Sequence, residues 1–405
     1  MDETIMVACD LHDRSMLLKI ARGRTAGETR SVPNTQSGRQ KLLALLRERS
    51  QAAGGARVVF AYEASGQGFG LHDELTAAGI ECHVLAPTKI ARSAQHRRRK
   101  TDEEDAEQIL QLLRGHVLAG NPLPGVWVPD RQTRDDREVV RTRLDLAEKV
   151  TVVKAQIRTL LKRSPVAAPE DLGKGWTKAY RGWLDLLCYD AQQPTGLRSA
   201  LASLLRQLRF FEKEVERLEQ ESLLPLAESP RYRAAVRKLD RMQGVGVLTA
   251  LVFLTELGNL GRFANRRQVS AYLGLVPTSN ESGERHDRKG RITRQGPSRV
   301  RKVLCQATWS RVRKKGVDAA AYQRIKAKNP KHKKIAVVAA MRRLGIRMWH
   351  EAREASPPAV GDGRSDGHEL ALVSPDTRRA RRPKHLTRRS QGITRRSPTG
   401  SAVAV

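Results

Sequence analysis

At 405 residues the chain is long enough for two or three domains with a substantial core, and its net charge of +32 directs attention to a polyanionic partner, nucleic acid first. Aromatic residues make up only 4% of it, no apolar run is long enough to span a bilayer, and Met1-Asp2-Glu3 opens without a basic-then-apolar signal. These features argue against a membrane partner and lead us to expect a cytoplasmic protein. Cys9, Cys82, Cys188 and Cys305 lie far apart with no Cys-x-x-Cys pair, which fits reduced, partly buried thiols rather than a zinc knuckle or disulfide framework.

In chain order, Thr4 to Asp10 is a short apolar run that reads as a buried strand ending in a carboxylate. After the polar turn Leu11-His12-Asp13-Arg14-Ser15, Met16 to Ala21 completes a hairpin, and a weaker strand is expected near Thr29 to Pro33. Ser37 is expected to cap a helix with Leu42, Leu43, Leu45 and Leu46 on its inner face, ended by Gly54-Gly55. Arg57 to Glu63 is the next strand, again closing on a carboxylate. A Ser/Gly-rich turn, a helix to Gly79 and a strand over Ile80 to Ala86 follow. Pro87 to Lys100 is a basic loop in which Arg97, Arg98, Arg99 and Lys100 are candidate nucleic-acid contacts.

Thr101 then reads as an N-cap, with Glu104 three residues on as in a capping box and Ile109, Leu110 and Leu113 as an apolar stripe. Asp102 and Asp105 share one face of that helix's first turn. In isolation, an acidic helix start that complements the macrodipole is the more ordinary account of them. If the first and fourth strands are neighbours, however, Asp10 and Glu63 sit side by side and face this helix. Four carboxylates gathered in a basic protein then suit two divalent cations placed for phosphodiester transfer. The whole pattern is mixed α/β.

From Asp135 to about Ser164 the chain is charged and helix-prone, and a second helix is expected from Leu197 to Leu223. Leu204, Leu208, Phe211, Val215 and Leu218 form a short heptad seam on it. That seam suits an antiparallel hairpin within the chain or pairing between subunits. Further on, Leu239 to Ala250 has the form of a helix-hairpin-helix. Gly244 and Gly246 permit the tight turn, and backbone N–H groups at the next helix start are candidate phosphate ligands; a simple Gly-x-Gly turn is the alternative. The run Tyr272 to Gly283 ends in Ser282-Gly283 and is continued by Gly290 to Gly296, with basic residues through and after the Ser-Gly loop, among them Arg285, Arg288, Lys289 and Arg291. From the residues alone such a loop is more often a solvated basic turn. Ile335 to Glu351 reads as a last packed helix, and beyond Ala355 repeated Arg-Arg pairs with few apolar residues indicate a disordered basic tail.

Val7-Ala8-Cys9-Asp10, Tyr62-Glu63-Ala64-Ser65-Gly66, Ala86-Pro87-Thr88-Lys89 and Lys100 to Ala106, in this order and spacing, resemble the DEDD transposases of bacterial insertion sequences, the family that includes the Piv-type DNA invertase. Tyr272 to Gly283 is similar to that family's most recognisable segment. The resemblance implies a RuvC-type, RNase H-like domain over 1–130, a helical connector over 131–230, and a helical C-terminal domain over 231–352, before the basic tail over 353–405. It implies Asp10, Glu63, Asp102 and Asp105 as the holders of two Mg²⁺ ions, with Mn²⁺ as a substitute. The nucleophile it implies is the serine before glycine, which falls on Ser282, with Ser279 as runner-up; the family's usual serine doublet is here Glu281-Ser282. It further implies DNA as substrate (element ends and target), a noncoding guide RNA, a dimer or tetramer on DNA, and association with the bacterial nucleoid. Two other readings are a metal-dependent nuclease of the junction-resolvase kind, in which water attacks, and a nonenzymatic nucleic-acid-binding protein.

Overall fold

The computed structural model describes residues 4–90, 101–164, 166–169, 172, 175–279, 289–313 and 316–355; for Ser279 and Lys289 it describes the backbone. The N-terminal part runs β1 (Ile5–Leu11), β2 (Ser15–Arg22), β3 (Glu28–Pro33), α1 (Gln36–Ala52), β4 (Val58–Glu63), α2 (Gly70–Ala77), β5 (Glu81–Leu85) and α3 (Asp102–Ala119). The five strands form one sheet in the order β3-β2-β1-β4-β5, antiparallel through the first hairpins and parallel from β1 to β4 to β5. β1 and β4 are neighbours, as expected. They read as continuous apolar runs because both sheet faces are covered. Ile5, Val7, Cys9, Phe60 and Tyr62 pack with Leu42 and Leu46 of α1 and with Leu71 and Leu75 of α2. The alternate residues Met6, Ala8, Val59 and Ala61 pack with Ile109, Leu110 and Leu113 of α3. At the edge, β3 buries only Val32.

The cap of α1 is Thr35 rather than Ser37: its extended backbone brings the hydroxyl to the Gly38 N–H at 3.1 Å, two residues before the expected position. After α3, Gly125 bridges antiparallel to Leu85, and the Val126 N–H donates to the Val84 carbonyl at 2.7 Å, so the chain leaves along the outer side of β5.

A single helix of 33 residues, α4 (Arg131–Arg163), opens the middle region, starting earlier than expected because Asp130 caps it through the Thr133 N–H at 2.8 Å. It is followed by α5 (Lys178–Leu187) and α6 (Thr195–Leu218). Arg143 pairs with Glu219 and Lys154 with Glu212, so residue numbers rise along α4 as they fall along α6; the two helices form an antiparallel hairpin within the chain. The buried row of α6 is Leu197, Leu201, Leu205 and Leu208, the last three against Val153, Ile157 and Leu161 of α4 and Leu184 and Leu187 of α5. Of the expected seam, Leu208 lies in this row and Leu204 and Phe211 pack partly buried against the same core; the face is wider than the seam because α5 packs on α6 as a third helix. A π-turn at Glu219–Leu223, just before Pro225, interrupts the helix there; Pro225 lacks the N–H that would continue the regular ladder.

The C-terminal body comprises α7 (Leu224–Glu228), α8 (Arg233–Asp240), α9 (Val247–Leu257), α10 (Arg266–Tyr272), the two-stranded β6 (Pro277–Ser279) and β7 (Lys289–Ile292), α11 (Ser298–Val312), α12 (Ala319–Lys328) and α13 (Lys333–Ala355). Its centre is α9, buried from Ala250 to Leu257. The first turns of α4 belong to the same core through Val140 and Leu144. Arg137 donates to the Thr255 and Glu256 carbonyls at 2.7 and 3.0 Å, satisfying groups that the end of α9 leaves open. The Arg262 guanidinium lies 4.3 Å from the Trp127 ring centre, 4.1 Å from Phe263 and 4.4 Å from Tyr272, which fastens the segment leaving the sheet onto this body. All four cysteines are free. No described helix is long and apolar enough to cross a membrane.

Candidate active site

In β1, Asp10 shares the alternation of Met6 and Ala8; in β4, Glu63 shares that of Val59 and Ala61. Both carboxylates therefore belong to the sheet face that α3 covers. The parallel register pairs Cys9 with Tyr62, so Asp10 and Glu63 follow side by side at the same end of adjacent strands. Ala8 and Ala61 are small enough to let α3 lie close.

Thr101 caps α3 through the Glu104 N–H at 3.3 Å, and Ile109, Leu110 and Leu113 fix which way the helix faces. Its acidic first turn meets the strand ends at His12, whose Nε2 lies 2.9 Å from Asp10 Oδ2 and 3.3 Å from Asp102 Oδ2. Asp10, His12 and Asp102 together offer ligand atoms within 4.8 Å of one another. Burial raises the Asp10 pKa, His12 opposes that rise, and the negative fields of Asp102 and Asp105 add to it. A hard cation relieves this crowding of carboxylates, and the donor set of carboxylate oxygens with one imidazole fits a divalent metal. Asp10 is 14% exposed and Asp102 59%, so the site has a closed sheet side and an open side where a polyanion's backbone can reach. Glu63 and Asp105 are both half-buried at the same sheet end and helix turn.

His12 is the residue that sequence reasoning missed. Its signal is its spacing from Asp10: two residues along the strand direction keeps a side chain on one face, even where the strand passes into a turn. A polar frame holds that turn. Asn34 Nδ2 donates to the His12 carbonyl at 2.9 Å and to Gln67 Oε1 at 2.8 Å; Gln67 Nε2 reaches Asp13 at 3.1 Å, and Arg39 reaches Asn34 Oδ1 at 3.0 Å. The turn after β1 and the loop after β4 are thus tied together beside the carboxylates.

Ser282, Arg285 and Arg288, like Arg97, Arg98, Arg99 and Lys100, fall outside the described residues. β6 and β7 are the strands on either side of the serine segment; Ser279 ends β6 and is paired in register with Lys289. Arg291 is exposed on β7, and its carbonyl accepts from Thr278 Oγ1 at 3.0 Å. The base of this hairpin explains the glycines of its motif. A side chain on Gly274 would meet the Gln295 carbonyl at 2.1 Å, and one on Gly296 the Tyr272 carbonyl at 1.9 Å; both residues have positive φ. Arg301 Nη1 completes the base by donating to the carbonyls of Leu273, Gln295 and Gly296.

Gly244 has φ +78° in the turn between α8 and α9, and a side chain there would come 2.9 Å from the Ala307 carbonyl, so its glycine is required by both conformation and space. Gly246 differs from expectation: it is extended (φ −105°, ψ 177°), with open space where a side chain would go, and serves as the N-cap of α9. The turn is held against α11 by Arg311, which donates to the Gln243 carbonyl at 2.9 Å.

Strand order 3-2-1-4-5, carboxylates at the ends of β1 and β4, and a further acidic pair opening the covering helix define an RNase H-like fold of the DEDD type. Comparison with known proteins agrees in both halves. The profile described as "Transposase", of the DEDD type, matches residues 8–164, and that described as "Transposase IS116/IS110/IS902 family" matches residues 236–323. The protein y4qE of Sinorhizobium fredii, described as a transposase, is 31% identical over 258 residues, 62% of this chain and 58% of that protein. From the same organism, y4rJ, described likewise, is 31% identical over 258 residues, 61% of this chain and 64% of that protein. The transposase for insertion sequence element IS1533 of Leptospira borgpetersenii is 25% identical over 254 residues, 61% of this chain and 69% of its own length. The chain thus spans less than two thirds of the length of the two Sinorhizobium relatives. It belongs to the IS116/IS110/IS902 family of DEDD transposases.

Proposed function

We propose that this chain is the transposase of an insertion sequence, catalysing Mg²⁺-dependent DNA strand cleavage and exchange with a serine nucleophile. The observation that carries the reading is the meeting of Asp10 and Asp102 at His12, within the field of Asp105 and beside the end of β4 that bears Glu63. Asp10, Glu63, Asp102 and Asp105 would hold two Mg²⁺ ions, with Mn²⁺ able to replace them. Bound there, the ions supply charge neutralisation at the scissile phosphate and at the leaving oxygen.

The chain's own residues do the rest. Ser282 Oγ attacks phosphorus, its proton passes to solvent or a nearby base, and the P–O bond to the departing strand breaks. The serine phosphoester keeps the bond energy, so a hydroxyl of a second strand can displace the serine without any external energy source. The basic loop with Arg97, Arg98, Arg99 and Lys100, the hairpin residues Arg285, Arg288, Lys289 and Arg291, and the turn at Gly244 and Gly246 would hold the phosphate backbone, supported by the +32 charge. The division into 1–130, 131–230, 231–352 and 353–405 follows the same reading. So do a noncoding guide RNA pairing with donor and target DNA, and a dimer or tetramer in which one subunit's serine serves another's carboxylates.

The test is Ser282→Ala with DNA carrying the element ends. The reading expects loss of both cleavage and the protein–DNA adduct that denaturing gels detect in the unaltered protein. Cleavage retained without an adduct would mean that water attacks, as in a junction resolvase. DNA processing unchanged in Asp102→Ala, with no Mg²⁺ requirement, would reduce the chain to a binding protein.

A further inference from the structure

The helix that carries Asp102 and Asp105 at its start carries a second cluster near its other end. Along β5, Glu81, His83 and Leu85 alternate onto one face, and Leu85 packs in the core that α3 covers. Because β5 runs parallel to β4, Glu81 opens the strand at the opposite sheet end from Glu63. His116, in the last turn of α3, comes down beside these two residues. Glu81, His83 and His116 offer ligand atoms within 4.8 Å of one another, and His83 is buried.

We propose that Glu81, His83 and His116 form a transition-metal site of the zinc class, separate from the carboxylate site, which pins the end of α3 to the edge strand β5. Two imidazoles and one carboxylate are the borderline donors that Zn²⁺ prefers over Mg²⁺, and a water completes the tetrahedron. Tetrahedral bonds of about 2.0–2.1 Å put ligands about 3.4 Å apart, so the observed spacing needs only a small inward movement.

Each outer ligand is already oriented from behind. Arg57 Nε donates to Glu81 Oε2 at 2.8 Å, leaving Oε1 directed at His83 Nε2, also at 2.8 Å. A cation bound there replaces the proton that this pair shares. His116 Nδ1 lies 2.8 Å from the Asn121 carbonyl, which can only accept; the proton is therefore on Nδ1 and the lone pair on Nε2. The left-handed Gly120 (φ +69°) ends α3 and folds Asn121 back to make this contact, while the Asn121 N–H caps the Gly115 carbonyl at 3.0 Å. Carbonyl-oriented imidazole and guanidinium-oriented carboxylate are the outer partners that metal ligands use.

The probe is Co²⁺, then Zn²⁺, added to the metal-stripped full-length protein. The expected result is an intense visible Co²⁺ band of tetrahedral type that saturates at about one equivalent. Zn²⁺ should abolish the band and excess Mg²⁺ should leave it. His116→Gln should remove it, Asp10→Asn with Asp102→Asn should retain it, and Arg57→Gln should weaken Co²⁺ binding by about 10–100-fold with the far-ultraviolet spectrum unchanged. The assignment is overturned by a missing band, by a band that survives His116→Gln, or by one that disappears with the Asp10 and Asp102 substitutions.

Discussion

The two parts that we assign to the active site are built on different principles. The carboxylates stand on the ends of buried strands and on a capped helix, where alternation and helical spacing decide which way each side chain faces. The serine segment hangs from a hairpin whose base is set by close backbone approach at Gly274 and Gly296 and by three carbonyls gathered on one arginine. A site that must hold cations gains from the rigidity of the first. The second depends on backbone packing around two glycines that no other residue can replace.

The contrast can be broken at several points. Ser282→Ala should have the largest effect, lowering strand cleavage by about 10⁴-fold or more while leaving Mn²⁺ binding intact, measured by cleavage assay and metal titration on one preparation. Gly296→Ala sets a methyl group against the Tyr272 carbonyl at a positive φ. A loss of about 2–4 kcal/mol in denaturant unfolding is expected, again with metal binding preserved in the folded fraction. His12→Gln should do the reverse, weakening divalent-metal affinity by about 10–100-fold with little change in stability.

The smallest effect lies outside both parts, on the α4–α6 hairpin. Arg181 and Lys154 hold the Glu212 carboxyl down at about 2, against an ordinary value near 4.5, the bond to Arg181 being the larger cause. A depressed carboxyl contributes stability above its unfolded value and loses it as pH falls through its folded one. The pair's contribution, about 1–2 kcal/mol once solvent screening is allowed for, should therefore fade from about pH 4.5 to 2. Acid unfolding of Glu212→Gln should lack that component.

The same contrast explains what the sequence reveals. The strands, the helices and the face on which Asp10 and Glu63 each lie are legible because period-2 and period-3.6 patterns encode them directly, whereas the adjacency of β1 and β4 is a property of the assembled sheet that no such pattern carries. The capping of α3 by Thr101 is legible for the same local reason. The α1 cap moved from Ser37 to Thr35 because both residues are competent and backbone conformation chooses between them. The apolar face of α6 is wider than its seam because a third helix, α5, covers it, which no pattern within α6 can encode. His12 escaped notice because it lies just past the end of β1, where the two-residue spacing from Asp10 is easily read as part of a polar turn. The need for glycine at 274 and 296 is visible only when two distant stretches are brought within contact.

The central claim is that the ends of β1 and β4 and the start of α3 hold a divalent cation, and Mn²⁺ titration of the full-length protein, followed by electron paramagnetic resonance, tests it most directly. The account predicts that wild-type protein binds Mn²⁺ in a form displaced by Mg²⁺, and that Asp10→Asn with Asp102→Asn abolishes this binding while thermal unfolding stays cooperative. Equal, Mg²⁺-sensitive Mn²⁺ binding by both proteins would contradict it.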